Sequence, residues 1–96
     1  MTLLKEPTLE VARKLKALDH DIRFKIVQTL LDKGELSFTQ LQEETGTAKT
    51  TLAYHVDVLT RAGVLGKRYE REGREYIRYS VAGETLELLS KLGLFK

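Results

Sequence analysis

Cysteine and tryptophan are absent from this sequence, proline occurs once, and there are only two histidines. Without thiols there can be neither a disulfide framework nor a thiolate metal site. No phosphate loop or nucleophile elbow is present, and no second histidine stands near a candidate nucleophile, so an enzyme is not expected. No apolar run is long enough to span a bilayer, and the opening MTLLKEPTLE lacks the apolar stretch of a secretory signal. The expectation is therefore a cytoplasmic protein with no membrane partner. A net charge of only +2 is too small to imply a polyanionic partner by itself. Its distribution says more, because Lys67, Arg68, Arg71, Arg74 and Arg78 crowd into one short segment.

What remains is 42% hydrophobic and 31% charged residues, the balance of a globular chain. The 96 residues read as one domain, 1–96, with one modest core, small enough for dimerisation to add useful burial. Thr8 can cap a first helix to about Leu18, with Val11, Leu15 and Leu18 on one side and Arg13, Lys14 and Lys16 mostly on the other. Asp19-His20-Asp21 interrupts that pattern and offers a cap for a second helix over 22–33. Ile22, Ile26, Val27, Leu30 and Leu31 give this helix a core stripe, and Gly34 stops it. Glu35-Leu36 leaves room for only a very short strand. Ser37-Phe38-Thr39-Gln40 has the form of a capping box and opens a short helix through about Thr45, with Leu41 pointing inward.

Thr45-Gly46 then forms a tight turn, glycine readily taking the positive φ such a turn needs. Thr47 reads as the N-cap of the next helix, its hydroxyl accepting from a first-turn N–H. Leu52, Val56 and Leu59 lie on one face of that helix and are expected to be buried. Thr50, Tyr54, Asp57 and Arg61 occupy the opposite stripe, with Lys49, Thr51 and Ala53 beside it. A face of small hydroxyls, one lysine and one tyrosine suits a groove better than a protein core. Gly63 ends the helix, and Val64-Leu65 begin a strand. Two strand-like runs flank Glu72-Gly73 as a hairpin, the second alternating Ile77, Tyr79 and Val81 against Tyr76, Arg78 and Ser80. Residues 82–95 are helical, with Leu86, Leu88, Leu89, Leu92, Leu94 and Phe95 over more of the circumference than one core contact uses.

Helix, helix, short strand, helix, turn, helix, hairpin, helix is the order of a winged helix-turn-helix domain. The fold class expected is mainly α with a two-stranded β-hairpin wing on a three-helix core, residues 1–18 and 82–96 serving as dimerisation helices. Three segments in register carry a more specific likeness. LDHDIRFKIV at 18–27 is similar to the opening of a family's second helix, where an arginine followed by apolar residues is usual. TTLAYHV at 50–56, continuing through Leu59 to RAGVL at 61–65, is similar to its recognition-helix signature, and Arg71-Glu72-Gly73-Arg74 with Tyr79 to its wing. Over 18–81 the chain resembles the small ArsR-like winged-helix transcriptional regulators, in a short form familiar from archaea. That resemblance implies a homodimeric regulator, most simply a repressor, that binds double-stranded operator DNA. It leaves any effector open and calls for no cofactor.

For DNA, the candidate contacts are Thr47, Lys49, Thr50, Thr51 and Tyr54 at the start of the recognition helix, where this docking mode reads base edges. Arg71 and Arg74 flank the wing tip, although Glu70, Glu72 and Glu75 could instead hold the arginines in a solvated hairpin. His55, counted with these DNA-binding residues, borders the buried face and is expected to be a hydrogen-bonded structural histidine near a phosphate. Asp57 and Arg61 are spaced for a surface i,i+4 pair. Arg23 is expected in an intradomain ion pair. Val11, Leu15, Leu86, Leu89, Leu92 and Phe95 are the candidate dimer seam. A metal site is not expected: the last helix offers Glu84 and Glu87 without histidine, and Asp19-His20-Asp21 is better explained as a helix cap. Two other readings stay open, a winged-helix protein-interaction module without DNA binding and a metal- or ligand-responsive regulator.

Overall fold

Local capping sets the start of the second helix. The His20 backbone is extended, and its Nδ1 accepts the Ile22 N–H at 3.2 Å, which makes this residue of the expected cap triplet the N-cap. The computed structural model describes residues 9–72 and 74–93. Its elements are α1 (Leu9–Leu18), α2 (Asp21–Lys33), β1 (Leu36–Ser37), α3 (Phe38–Thr45), α4 (Lys49–Arg61), β2 (Leu65–Glu72), β3 (Arg74–Val81) and α5 (Gly83–Lys91). The expected caps at Thr8 and the hairpin tip at Gly73 lie outside the described residues.

Between α3 and α4 the chain reverses in three residues, with Gly46 left-handed at φ 66°. Both bonds of the capping box form at the start of α3: the Gln40 N–H donates to Ser37 Oγ, and the Ser37 N–H donates to Gln40 Oε1. At the far end the Lys25 ammonium, from α2, donates to the Thr45 carbonyl at 3.0 Å. A cation there meets the negative end of the helix dipole. These contacts fix α3 at both ends and thereby set where α4 departs.

Leu52, Val56 and Leu59 of α4 are buried with Ile26, Val27 and Leu30 of α2 and Leu41 of α3, the three-helix core that periodicity indicates. Full burial of a leucine or isoleucine contributes roughly 1.5–3 kcal/mol, so this stripe dominates the attachment of α4. Gly63, at φ 80°, turns the chain from α4 into the wing, and the fully buried Thr85 of α5 donates its hydroxyl to the Gly63 carbonyl. The sheet has three strands in the order β1-β3-β2, all antiparallel, rather than the two expected. β1 adds to it because Leu36 and Ser37 lie opposite Tyr79 and Arg78, which ties the α2–α3 connection to the wing.

Three expectations about the helices are corrected. Thr47 is not an N-cap: Ala48 holds that position, the helix begins at Lys49, and no side chain bonds to its first turn. In α1 the inward face is rotated, with Lys14, Ala17 and Leu18 buried and Leu15 outward. Lys14 is 8% exposed, its stem beside Gly63 and its ammonium 3.5 Å from the Glu84 carboxylate. A long apolar stem with a charged end can fill such a site where a leucine pattern gives no hint of it. In α5, Leu89 is 1% exposed within its own domain, so it belongs to the core and not to a seam between copies.

Candidate nucleic-acid interface

The outer side of α4 presents Lys49, Thr50, Thr51, Ala53, Tyr54 and Asp57, all exposed. Tyr54 is the large group on this surface, 62% exposed. Thr47 is half-buried in the turn just before them. Because Ala48 supplies no cap, the first turn of α4 meets no side-chain acceptor, and the positive end of the helix dipole opens onto the same surface. Asp57 and Arg61 form the expected i,i+4 pair at 3.0 Å, both ends in solvent. Such a pair contributes only about 0.3–0.5 kcal/mol.

His55 does not share that surface. It is 7% exposed, packed between the rings of Tyr54 and His20, and its Nδ1 is buried without a hydrogen-bond partner. Its placement as a DNA contact is therefore corrected to a buried support beneath Tyr54. Burial, and then the charges of His20 and Arg23, hold its imidazole below the ordinary value of 6.5. Arg23 lies half-buried beside it with a buried Nε that has no partner, where an ion pair was expected.

The wing handles its charge differently. Arg68 and Arg78 face each other across β2 and β3, a like-charge pairing that is unfavourable alone. Acids resolve it: Arg68 grips Glu35 through two hydrogen bonds of 2.9 and 2.7 Å, and the Glu70 carboxylate accepts from Arg68 at 3.2 Å and from Arg78 at 2.7 Å. The Arg68 bond first, against an opposing effect of burial and with help from the charges of Arg68 and Arg78, lowers the Glu35 carboxyl below its ordinary range, and Glu35 raises Arg68 in return. Arg71 is exposed further along the strand. The backbone of Arg74 pairs with Glu72, while its side chain lies outside the described residues.

Two wing residues were missed as candidates. Tyr69 is 72% exposed, and Lys67 is exposed without an ion-pair partner among the described residues, next to Asp57, Thr60 and Tyr79 in a cleft of about 290 Å³ between α4 and the sheet. Strand alternation puts Lys67 and Tyr69 on the same face as the core-facing Leu65, so the pattern alone gave no sign of their exposure. Phe38 and Tyr79 pack against the core as expected, and burial raises the Tyr79 phenol above its ordinary range, aided by Asp57 and Tyr69.

A short helix pair with a left-handed glycine turn, an exposed second helix and a β-hairpin packed beside it together define a winged helix-turn-helix domain. The chain belongs to the helix-turn-helix domain family, which it matches over residues 18–67. It is 37% identical over 59 residues to the biofilm growth-associated repressor of Xylella fastidiosa, a match covering 62% of this chain and 51% of that protein. A cadmium resistance transcriptional regulatory protein, a CadC homolog from Staphylococcus aureus, is 30% identical over 87 residues, 91% of this chain and 69% of that one. Thus the chain spans about half the length of the first of these curated relatives. Among solved structures, it superposes with a TM-score of 0.73 and 26% identity on a fragment from Mycobacterium bovis, covering 96% of this chain and 88% of that one. That fragment is described as the homodimeric winged helix-turn-helix DNA-binding domain of a possible ArsR-family transcriptional regulator. No helix among the described residues is long and apolar enough to cross a membrane.

Proposed function

We propose that the chain is an ArsR-like transcriptional regulator, a cytoplasmic homodimer that binds double-stranded DNA sequence-specifically and represses by blocking promoter access. The observation that carries this reading is the outer face of α4: an uncapped N-terminus, Lys49, two hydroxyls and a protruding tyrosine, over a core that holds the helix rigidly. Such a helix fits the major groove, where base edges present a readable pattern, while Thr47 and the first-turn N–H groups suit flanking phosphate. Lys67, Arg71 and Arg74 would meet backbone beside it. The names of the relatives support the same reading.

Dimerisation is supported by apolar surface that the domain leaves uncovered. Leu9 and Leu15 of α1 are exposed and Val11 half-covered, and Leu86 midway along α5 and Leu92 just beyond its end are exposed as well. Phe95 lies outside the described residues. Burying these groups against a second copy would place two α4 helices about one turn of DNA apart, roughly 34 Å. Leu86→Glu should give a folded monomer in sedimentation, because that side chain does not build the core; an unaltered dimer would move the seam elsewhere.

Selection of bound duplexes from a random pool tests DNA binding and half-site spacing together. An enriched inverted repeat is expected, and failure to enrich any sequence would remove the DNA reading. One observation favours a second reading, a protein-interaction module: Arg68 and Arg78 are already occupied by Glu35 and Glu70. Such a module should lack the retention on nonspecific duplex, with its steep salt dependence, that phosphate binding must show.

A further inference from the structure

Two imidazoles and a phenol form a stack from the start of α2 to the exposed face of α4. The Tyr54 ring meets His55 edge-on at 5.0 Å between centroids, and His55 meets His20 at 4.5 Å with the rings tilted by 45°. His20 Nδ1 accepts the Ile22 N–H, so that nitrogen carries no proton while the cap is made. From α2, Arg23 faces His55; Asp19 and Asp21 flank His20 along the chain; from α4, Tyr54 faces the pair. Lys14, the cation that α1 buries, sits at the opposite end of α4 beside Gly63 and Glu84. Neither ring has a carboxylate partner among the described residues.

We infer that His20 is a proton-sensitive positioning residue for DNA recognition, acting through His55 on Tyr54. With His20 neutral, the cap and the stack set the phenol on the exposed face of α4. A proton on His20 removes the acceptor that caps α2 and places a second cation, with Arg23, against His55. The stack then opens and Tyr54 loses its fixed position. This inference rests on the reading of α4 as the DNA-contacting helix.

Added positive charge also favours any duplex, so absolute affinity would mix two opposed effects. The informative quantity is the ratio of affinity for a selected duplex to that for a random one, measured with the full chain from pH 7.5 to 5.5, while imidazole and Tyr54 ring signals are followed by NMR. Expected is a fall in the ratio of about tenfold, the scale of one lost base contact, with Tyr54 signals moving along the His20 titration. In His20→Asn, which keeps a good N-cap, the ratio should stay constant with pH to about twofold, well inside the loss of one base contact. The His55 midpoint should rise, since one neighbouring charge has gone. A flat ratio in the unaltered protein, Tyr54 signals indifferent to His20, or the same pH profile in His20→Asn would each overturn the inference. Absence of duplex binding at pH 7.5 would instead refute the DNA reading, and the NMR titration would still decide whether the stack is coupled.

Discussion

The recognition helix and the wing both carry cations, but the wing ties Arg68 and Arg78 to acids while the helix leaves Lys49 without an ion-pair partner among the described residues. On α4, Lys49 stands in solvent without an ion-pair partner among the described residues, and the one pair, Asp57–Arg61, lies towards the other end. On the wing, Arg68 and Arg78 are held by Glu35 and Glu70, and Lys67 has no ion-pair partner among the described residues. A cluster of arginines in sequence therefore overstates the charge available to a phosphate. Availability depends on which acids the fold brings near.

The largest effect should come from breaking the platform on which this contrast stands. Leu52 is fully buried under α4, and Leu52→Ala should cost roughly 2–5 kcal/mol. Denaturant unfolding reads this directly; a loss under about 1 kcal/mol would mean that α4 is not held by its core stripe. Next come the helix contacts. Lys49→Ala or Tyr54→Ala should weaken binding to a selected duplex by roughly 1–3 kcal/mol while changing random-duplex binding less. Equal losses on both would show that these residues touch only phosphate.

A smaller effect separates the wing cations from each other. Lys67→Ala should weaken binding similarly on all sequences and reduce the slope of log K against log salt by about one per half-site. Arg68→Ala should leave that slope nearly unchanged, and a full loss there would show that its acid partners let go on DNA. Glu35→Gln gives the smallest and most pointed change: freeing Arg68 should steepen the slope slightly. The same pair predicts an acid limit. Because the folded Glu35 carboxyl lies below its ordinary 4.5, its contribution to stability is present above that value. It is lost as the pH falls through the lowered folded value. Salt-slope and unfolding measurements at pH 3 to 5 should show this loss in the unaltered protein and not in Glu35→Gln.

His55 adds a second pH dependence of defined sign. Its folded imidazole is held below 6.5, so the unfolded chain takes up that proton first. Stability should therefore fall as pH drops below about 6.5, until the folded value is reached.

Features governed by neighbours within about four residues were determined by the sequence alone. The Ser37–Gln40 capping box, the left-handed Gly46 turn and the Asp57–Arg61 pair all stand where local spacing puts them. Each closes a short loop, so local geometry specifies it without reference to the rest of the fold. Tertiary structure decided what joins distant positions. It placed Glu35 against Arg68, 33 residues apart, paired β1 with β3, and seated His20 on His55. It also buried Lys14, enclosed Leu89 in its own domain and left Leu15 outside. A helical stripe reveals that a face is apolar, but its angular width admits more than one rotation of the helix against the core. Packing volume and the pairing of buried charge choose among those rotations, and both depend on neighbours that the local pattern does not contain.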